Sequence, residues 1–157
     1  MDSSTLTAHG VAEMPIIPRI TPNSPRTIEL LAFECVQLLD VSGPLQVFAT
    51  ANELLARADA PPAYAVRVVA KTERITASAG LVLLAGPLPD RAAPLDTLLV
   101  AGGPGVDAAA ADADLTDWLR TRAARARRVA SVCTGAFLQA AAGLLDGRRR
   151  PGGRRRC

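Results

Sequence analysis

The stretch RVASVCTGAF, residues 128–137, contains the turn from which the fold of this sequence is interpreted. Residues 129–132 are predicted to form a short buried strand and Gly135 to begin a helix, so Cys133 falls in a tight turn between them. The unpaired amides at the start of a helix favour negative charge, and therefore the thiolate. The pattern is typical of a nucleophile elbow with sulfur in place of serine. Because cysteine is also a common small core residue, both interpretations stay open at this point.

Strands and helices alternate along the rest of the chain. The nearly continuous apolar runs typical of central parallel strands are residues 27–33, 64–70 and 97–101. An extended ribbon is predicted over 75–84 with Gly80 at its turn, and a proline-rich loop over 86–94. The predicted helices are 45–58 after the start signal Ser42-Gly43-Pro44, 114–127 with Asp114 as cap, and 135–144. This alternation predicts an α/β three-layer sandwich with a mostly parallel, flavodoxin-like sheet.

Two of the predicted helices carry apolar stripes. The first stripe consists of Leu45, Phe48, Ala49, Asn52 and Leu55. The second, on helix 114–127, consists of Leu115, Trp118, Leu119 and Ala123. Both stripes are expected to face the sheet.

Length and composition indicate one ordinary globular domain. The 157 residues are 49% hydrophobic, which is enough for a core, and no apolar run is long enough to span a membrane. The N-terminus lacks the basic start and apolar block of a secretory signal. Three widely spaced cysteines argue against a disulfide scaffold and suit a reducing cytoplasm.

The two ends of the chain differ in composition from its body. Residues 1–26 are rich in proline, serine and threonine without periodicity, and they are predicted to be a disordered leader that contains the single histidine, His9. Six of the eighteen basic residues are arginines within 148–156; without them, twelve basic residues face fifteen acidic ones, a net charge of −3. An arginine tail can bind phosphate backbones non-specifically, but the body of the protein gives no sign of nucleic-acid binding.

Three candidate features follow predicted strands of the sheet. Asp40 follows the first strand, Gly102 and Gly103 follow the 97–101 strand, and Cys133 follows the last one. Ligands of parallel sheets bind at these carboxyl ends, so the residues are expected to meet there.

A reaction centre built from these residues would have Cys133 as nucleophile and Asp40 as hydrogen-bond partner or proton shuttle. The amides of Thr134 and of Gly103 or Gly102 would form an oxyanion hole. A purely structural interpretation is also open, in which Asp40 caps the following helix and the glycines make a turn.

Residue types that the sequence lacks exclude several chemistries. A cysteine hydrolase normally needs a histidine base, and His9 in the leader is a poor candidate. No Cys/His cluster has metal-ligand spacing, so no metal site is predicted. The glycine turn 102–105 is not a dinucleotide fingerprint, and no cofactor is expected.

Three motifs, in order, carry a resemblance to a known family. They are FECVQLLDVSGPLQVF (33–48), LLVAGGPG (98–105) and SVCTGAFL (131–138), the last continuing as AGLLDGRR (142–149). Through them the chain resembles the ThiJ/PfpI superfamily, whose fold is like that of class I glutamine amidotransferases. Within it, the likeness is to the isonitrile hydratase-like branch and to the amidase-like N-terminal domains of AraC-type transcriptional regulators.

The resemblance implies roles for particular residues. Cys133 would be the elbow nucleophile, Thr134 its neighbour used in isonitrile hydration, Asp40 the acidic partner and Gly103 the oxyanion-hole glycine. Members of the family are commonly homodimers. In the regulator branch this domain senses a small ligand or keeps only vestigial catalysis, and DNA is contacted only through a helix-turn-helix pair that follows it.

The sequence departs from the family pattern in two places. Cys35 stands where the family usually has glycine, so an altered turn is expected there. The pattern ends at Arg149, so the predicted domain is 27–149, lacks the final family elements and is followed by a basic tail, 150–157. Since that tail consists largely of residues with GC-rich codons, a frameshift or premature end is one hypothesis, and resequencing the gene tests it.

Three hypotheses of function follow from the resemblance. The first is a small-molecule-sensing domain of an AraC-type regulator without its DNA-binding half. The second is a cysteine-dependent isonitrile hydratase-like enzyme, and the third an inactive truncated remnant. In each case the expected ligand is an unidentified small molecule, and no membrane partner is expected.

Overall fold

The predicted parallel sheet lies at the centre of the protein. The structure is a computed structural model that describes residues 24–147, so the predicted leader up to residue 23 and the arginine-rich tail from residue 148 lie outside the described residues. Five parallel strands lie in the order β5-β2-β1-β6-β7, and β3 and β4 form a separate antiparallel hairpin. The strands are β1 Arg26–Leu31, β2 Tyr64–Ala70, β3 Arg74–Thr76, β4 Val82–Leu84, β5 Gly86–Pro87, β6 Leu95–Val100 and β7 Ala126–Ser131. The helices are α1 Leu38–Arg57, α2 Val106–Ala111, α3 Ala113–Ala123 and α4 Gly135–Ala141.

Helices and hairpin cover the two faces of this sheet. Side chains of successive strand residues point to opposite faces, so Leu30 and Leu31, both fully buried, belong to different halves of the core. Leu31 packs with α2, α3 and α4, whereas Leu30 packs with α1 and the β3–β4 hairpin. The three-layer α/β arrangement predicted from the alternating elements is therefore confirmed.

The first helix begins earlier than predicted. The signal at residues 42–44 predicted a start near Leu45, but α1 begins at Leu38 and contains Pro44. Proline removes only the helical hydrogen bond to the Asp40 carbonyl, and burial of Val41 in the core offsets that loss. Leu45 is 37% exposed, so it does not belong to the packed stripe.

The rest of the predicted stripe of α1 packs as expected. Phe48, Ala49, Asn52 and Leu55 are all partly buried. The ring of Phe48 lies 4.9 Å from that of Tyr64 at the start of β2. The Asn52 amide donates to the Tyr64 carbonyl at 2.7 Å, which fixes α1 against β2.

The predicted helix 114–127 was wrong at both ends. Asp112 is the cap: its carboxylate accepts from the Leu115 amide at 3.1 Å, and Lys71 holds the same carboxylate and lowers its pKa. The helix ends at Ala123, and β7 begins at Ala126, because arginines permit either structure. The predicted buried residues Leu115, Trp118, Leu119 and Ala123 are confirmed.

Smaller corrections concern short elements. The alanine-rich α2 was not predicted, because Val106–Ala111 has no amphipathic period. The predicted loop 86–94 contains the two-residue strand β5. The last helix ends at Ala141 rather than Leu144, where Gly143 turns the chain with φ +74°.

A buried ion pair joins the first strand to the third helix. Glu29 and Arg122 are both 0% exposed, and they form two parallel hydrogen bonds of 2.7 and 2.8 Å. Arg122 also donates to the Ala93 carbonyl, and Arg67 contacts Glu29 from the neighbouring strand. Such planar two-bond pairs satisfy both charges in a dry core.

The residues described include no helix long and apolar enough to cross a membrane.

Candidate functional site

The predicted site residues meet at the carboxyl edge of the sheet. Cys133 lies in the turn from β7 to α4, exposed, with φ +51°. Asp40 lies in the first turn of α1 and is 8% exposed. Gly102 and Gly103 follow β6, whose pairing with β7 (Val100 opposite Ser131) brings the two turns side by side. The geometry places these residues together, while their chemical roles stay predictions.

Gly102 lies between Asp40 and Thr134. Its amide donates to Asp40 Oδ2 at 3.1 Å, so the Asp40 carboxylate binds the glycine turn instead of capping a helix that starts near Leu45. A Cβ added at Gly102 would lie 2.6 Å from the Thr134 nitrogen and 2.9 Å from Asp40 Oδ2. A side chain at this position is therefore incompatible with the observed approach of the two turns.

Gly103 has a different structural role. Its φ of +145° is a conformation that favours glycine, and an added Cβ would lie 2.3 Å from the Gln37 nitrogen. The Gln37 amide donates to the Gly102 carbonyl at 2.8 Å, so the glycine turn holds the start of α1. The two glycines therefore form a turn, as in the purely structural interpretation, and they also lie among the residues of the candidate site.

The amides proposed for an oxyanion hole differ in their partners. The Gly103 amide donates to Thr134 Oγ1 at 2.9 Å, and the Gly102 amide is taken by Asp40. Within residues 24–147, the Cys133 and Thr134 amides have no hydrogen-bond acceptor. A bound oxygen would therefore meet the Thr134 amide directly and the Gly103 amide only by displacing the Thr134 hydroxyl.

A cleft of about 530 Å³ opens over Cys133. Its lining residues are Gln37, Leu39, Asp40, Gly103, Pro104, Val106, Asp107, Cys133, Thr134 and Phe137. Two carboxylates and no Lys or Arg of the described chain lie in this lining, so the cleft favours neutral or cationic ligands over anions. Its volume fits a small organic molecule.

The Cys133 thiol forms no hydrogen bond with the Asp40 carboxylate. Among the described residues the Cys133 sulfur has no hydrogen-bond partner, and the predicted bond from Asp40 to the sulfur is not formed. Both groups face the same cleft, so a ligand bound there would contact the two together. His9 lies outside the described residues.

Six cleft residues were not predicted from the sequence as site residues: Gln37, Leu39, Pro104, Val106, Asp107 and Phe137. Phe137 is aromatic and yet 61% exposed. It lies four residues after Cys133, in the helix that follows that residue, and this spacing could have indicated from the sequence that it lies near the site. Gln37 and Asp107 gave no such signal, because their places depend on the long-range packing of α1 and α2.

The turn at Cys35 is strained and hydrogen-bonded on both sides of the residue. Cys35 has φ +58°, a left-handed conformation that favours glycine, which agrees with the glycine implied by the resemblance. Its amide donates to the Thr76 carbonyl at 2.9 Å, and its carbonyl accepts from the Gly105 amide at 3.2 Å. Cysteine is accommodated there at the cost of backbone strain, and the expectation that this turn differs from that of the family stays a prediction.

Residues 24–147 contain no cluster of three or more His, Cys, Asp or Glu side chains that could hold a metal ion.

Comparison with known protein families gives one match. The model described as "DJ-1/PfpI family" matches residues 26–153, which is most of the chain.

Several curated proteins are similar in sequence, and three of them illustrate the range. An uncharacterised protein from the cpoL 5′ region of Streptomyces lividans is 40% identical over 126 residues, covering 80% of this chain and 85% of that protein. The HTH-type transcriptional regulator Rv1931c of Mycobacterium tuberculosis is 56% identical over 52 residues, covering 33% of this chain and 20% of the regulator. Isonitrile hydratase of Pseudomonas putida is 38% identical over 123 residues, covering 78% of this chain and 50% of the hydratase.

Two crystal structures support the same fold. A ThiJ/PfpI family protein from Pseudomonas syringae has a TM-score of 0.69 at 27% identity, covering 88% of this chain and 55% of its own. An AraC family transcriptional regulator from Pseudomonas putida has a TM-score of 0.60 at 26% identity, and the match covers 78% of this chain and 63% of the regulator chain. The chain spans most of the Streptomyces protein but half of the hydratase and a fifth of the mycobacterial regulator.

Proposed function

The chain belongs to the DJ-1/PfpI family, and on that premise we propose that it is the small-molecule-sensing domain of an AraC-type transcriptional regulator. The observation that carries the proposal is the cleft of about 530 Å³ over Cys133, in which Asp40 and the glycine turn are already bonded to each other. The Gly102 and Gly103 amides are held by Asp40 and Thr134, while the Cys133 and Thr134 amides are left to contact a bound molecule, an arrangement that supports binding of a small ligand in this cleft. Two regulators among the similar proteins support this choice.

The partners follow from the proposed role. Because a transcriptional regulator must have access to DNA, we propose that the protein is cytoplasmic. DNA would be contacted only through a helix-turn-helix domain outside this chain. The domain would act as a homodimer, because two-fold operators are matched by two-fold proteins. The predicted organisation, with a sensing domain over 27–149 between leader and basic tail, is part of this proposal.

Ligand binding in the cleft is the direct test. A panel of small neutral and cationic molecules is screened by thermal shift on the full chain, and a true ligand raises Tm. Leu39→Trp narrows the cleft from an exposed position (69%), so it should abolish the shift. Leu54→Trp is the matched control on the same helix, 58% exposed and outside the cleft, and should preserve it.

The screen has outcomes against the proposal as well. A ligand shift that survives Leu39→Trp would place binding elsewhere. A panel that gives no shift with the wild-type chain would also count against a sensor. Reading the DNA beyond the coding sequence in all frames for a helix-turn-helix tests the regulator part of the proposal separately.

A second candidate is an isonitrile hydratase-like enzyme, favoured because Cys133, Thr134 and Asp40 share one cleft. Hydration converts an isonitrile and water into an N-substituted formamide, so the isonitrile carbon needs a nucleophile and then a proton. The Cys133 thiolate would add to the isonitrile carbon, and Asp40 would deliver a proton to that carbon, which gives a thioimidate beside the Thr134 hydroxyl. Water would then add to the same carbon and break its bond to sulfur, which releases the formamide and the Cys133 thiol. If this is the function, formamide forms with the wild-type chain and Cys35→Ala but not with Cys133→Ala; no formamide from any of the three would exclude it.

A further inference from the structure

Gln37 immediately precedes α1, and its backbone is held on both sides. Its amide donates to the Gly102 carbonyl at 2.8 Å, and its carbonyl accepts from the Asp40 amide at 3.0 Å. Within residues 24–147 its side chain makes no capping bond to the helix. The side chain instead lines the cleft over Cys133, so a fixed backbone carries a polar group that the helix itself does not use.

The turn between β3 and β4 is bonded to the residues just before Gln37. The Cys35 amide donates to the Thr76 carbonyl at 2.9 Å, and the Ser78 amide donates to the Val36 carbonyl at 2.9 Å. Val36 itself is fully buried. The position of Ser78 relative to Gln37 is therefore set by backbone hydrogen bonds and by core packing.

The side chain of Ser78 determines which end of the Gln37 amide faces the cleft. The Ser78 hydroxyl donates to Gln37 Oε1 at 3.1 Å. Of these two residues, only Gln37 lines the cleft. A carboxamide has its oxygen and its NH2 group on opposite sides of one carbon, so an amide whose oxygen is bound outside the cleft presents Nε2 to it. Gln37 therefore faces the cleft as a hydrogen-bond donor.

The carboxylates of the cleft decide which acceptor suits this donor. Asp40 lies in the first turn of α1, three residues after Gln37, and Asp107 lines the same cleft. Asp40 thus already places a negative charge where the helix dipole favours one. A ligand carboxylate or phosphate that accepted from Gln37 would be repelled by both aspartates, whereas a carbonyl oxygen would not. The cleft therefore favours an uncharged oxygen at Gln37.

We propose that Gln37 is a specificity-determining residue of the cleft, which selects ligands with an uncharged carbonyl oxygen, and that Ser78 is its positioning residue. The ligand oxygen accepts from Gln37 Nε2, while the Ser78 hydroxyl holds Gln37 Oε1 away from the cleft. The inference rests on the proposed function, because it needs a ligand over Cys133, and it adds the chemical class of that ligand.

Four probes of similar size test the selection. They are acetophenone, ethylbenzene (which lacks the oxygen), benzoate (an anion) and benzylamine (a cation near neutral pH). Binding to the full chain labelled with 15N is followed by NMR, and substitution assigns the side-chain NH2 signals of the chain's three glutamines, Gln37, Gln46 and Gln139. Acetophenone should move the Gln37 signals, and the other three probes should leave them in place.

The possible outcomes separate this inference from the proposed function. If acetophenone moves the backbone signals of Cys133 and Thr134 but not the side-chain signals of Gln37, the cleft binds a ligand and the role of Gln37 is wrong. If benzoate or benzylamine moves the Gln37 signals as much as acetophenone does, the selection is wrong. If acetophenone moves no signal of the cleft, the inference is overturned, and the thermal-shift panel decides the proposed function on its own.

Substitution of the donor gives the size of the effect. Gln37→Glu replaces the NH2 group with a carboxylate oxygen, so it should weaken acetophenone binding by a factor of about 5. Gln46→Glu is the matched control, the same change on the same helix but outside this cleft, and should leave binding unchanged. Equal weakening by both substitutions would show that the added charge, and not the lost donor, is responsible.

Substitution of Ser78 tests the positioning role. Ser78→Ala should weaken acetophenone binding by a factor of about 3, less than Gln37→Glu, because the donor is kept and only its orientation is lost. In the free chain it should also make the Gln37 side chain more mobile, which lowers the heteronuclear NOE measured at Nε2. Ser78→Thr keeps the hydroxyl and should restore both values. Unchanged mobility and unchanged binding in Ser78→Ala would overturn the role of Ser78.

Discussion

The turns at Cys35 and Cys133 have nearly the same backbone conformation and serve different ends. Both follow strands at the carboxyl edge of the sheet, both cysteines are exposed, and their φ values are +58° and +51°. At Cys35 the amide and the carbonyl are both hydrogen-bonded, to Thr76 and Gly105. At Cys133 the amide has no acceptor within residues 24–147, and the side chain lines a cleft. The same strained conformation therefore accompanies a hydrogen-bonded amide and carbonyl at Cys35, whereas at Cys133 it accompanies an amide donor without an acceptor.

A glycine supports each turn from the neighbouring loop. Gly105 lies against the Cys35 turn, where an added Cβ would be 1.9 Å from the Glu34 carbonyl oxygen. Gly102 lies against the Cys133 turn at Thr134, where an added Cβ would be 2.6 Å from the Thr134 nitrogen. Positive φ alone therefore does not identify a functional residue; what the backbone amides and the side chain face distinguishes the two turns.

The largest effects are expected from alanine at these glycines. Gly105→Ala should lower the free energy of unfolding by about 4 kcal/mol and Gly102→Ala by about 2 kcal/mol, because both clashes are with backbone atoms. Urea denaturation measures both. Gly43→Ala is the control: its Cβ would meet only Leu39 at 3.9 Å, inside a helix, so it should stabilise the protein by about 0.8 kcal/mol. Loss of stability in Gly43→Ala equal to that in Gly102→Ala would refute the packing argument.

Thiol reactivity should separate the two turns next. A mild alkylating reagent near neutral pH should modify Cys133 about tenfold faster than Cys35, because Cys133 lines an open cleft beside amides that have no acceptor within residues 24–147. Mass spectrometry of proteolytic peptides gives the two rates. Equal rates would mean that the unoccupied amides do not activate the thiol.

The smallest effect concerns the backbone strain itself. Cys35→Gly and Cys133→Gly should each raise the free energy of unfolding by about 0.5 kcal/mol, since glycine adopts positive φ without strain. Thermal and urea unfolding, with Cys35→Ala as control, measure the gain. A gain at only one position would show that the two turns are not equally strained.

Much of the fold followed from local pattern. The strand at residues 64–70 and the hairpin turning at Gly80 were visible as apolar runs and a turn residue, and both are confirmed. Pro44 was misleading, because its effect on a helix depends on what Val41 packs against. The burial of Arg122 was not predicted, since nothing near it in sequence reveals that Glu29 is its partner.

The meeting of Asp40, Gly102 and Cys133 followed from one rule, the convergence of parallel strands at their carboxyl ends. Their hydrogen bonds did not follow from it. The bond from the Gly103 amide to Thr134 depends on the register of β6 against β7, which the sequence does not specify locally.

The Glu29–Arg122 pair has a consequence for how the chain is made. The two residues are 93 positions apart, so during synthesis the strand that will become the centre of the sheet emerges long before the arginine that neutralises its carboxylate. Arg67 is made earlier, but it is half exposed and bonds only Oε1 of Glu29, so without Arg122 the buried Oε2 would have no hydrogen-bond partner. Because an incompletely paired buried carboxylate is costly, a nascent chain that ends short of α3 cannot close its sheet at little cost. Closure of the sheet is therefore coupled to the synthesis of α3. We expect the amides of β1 and α3 to gain protection from hydrogen exchange at the same time.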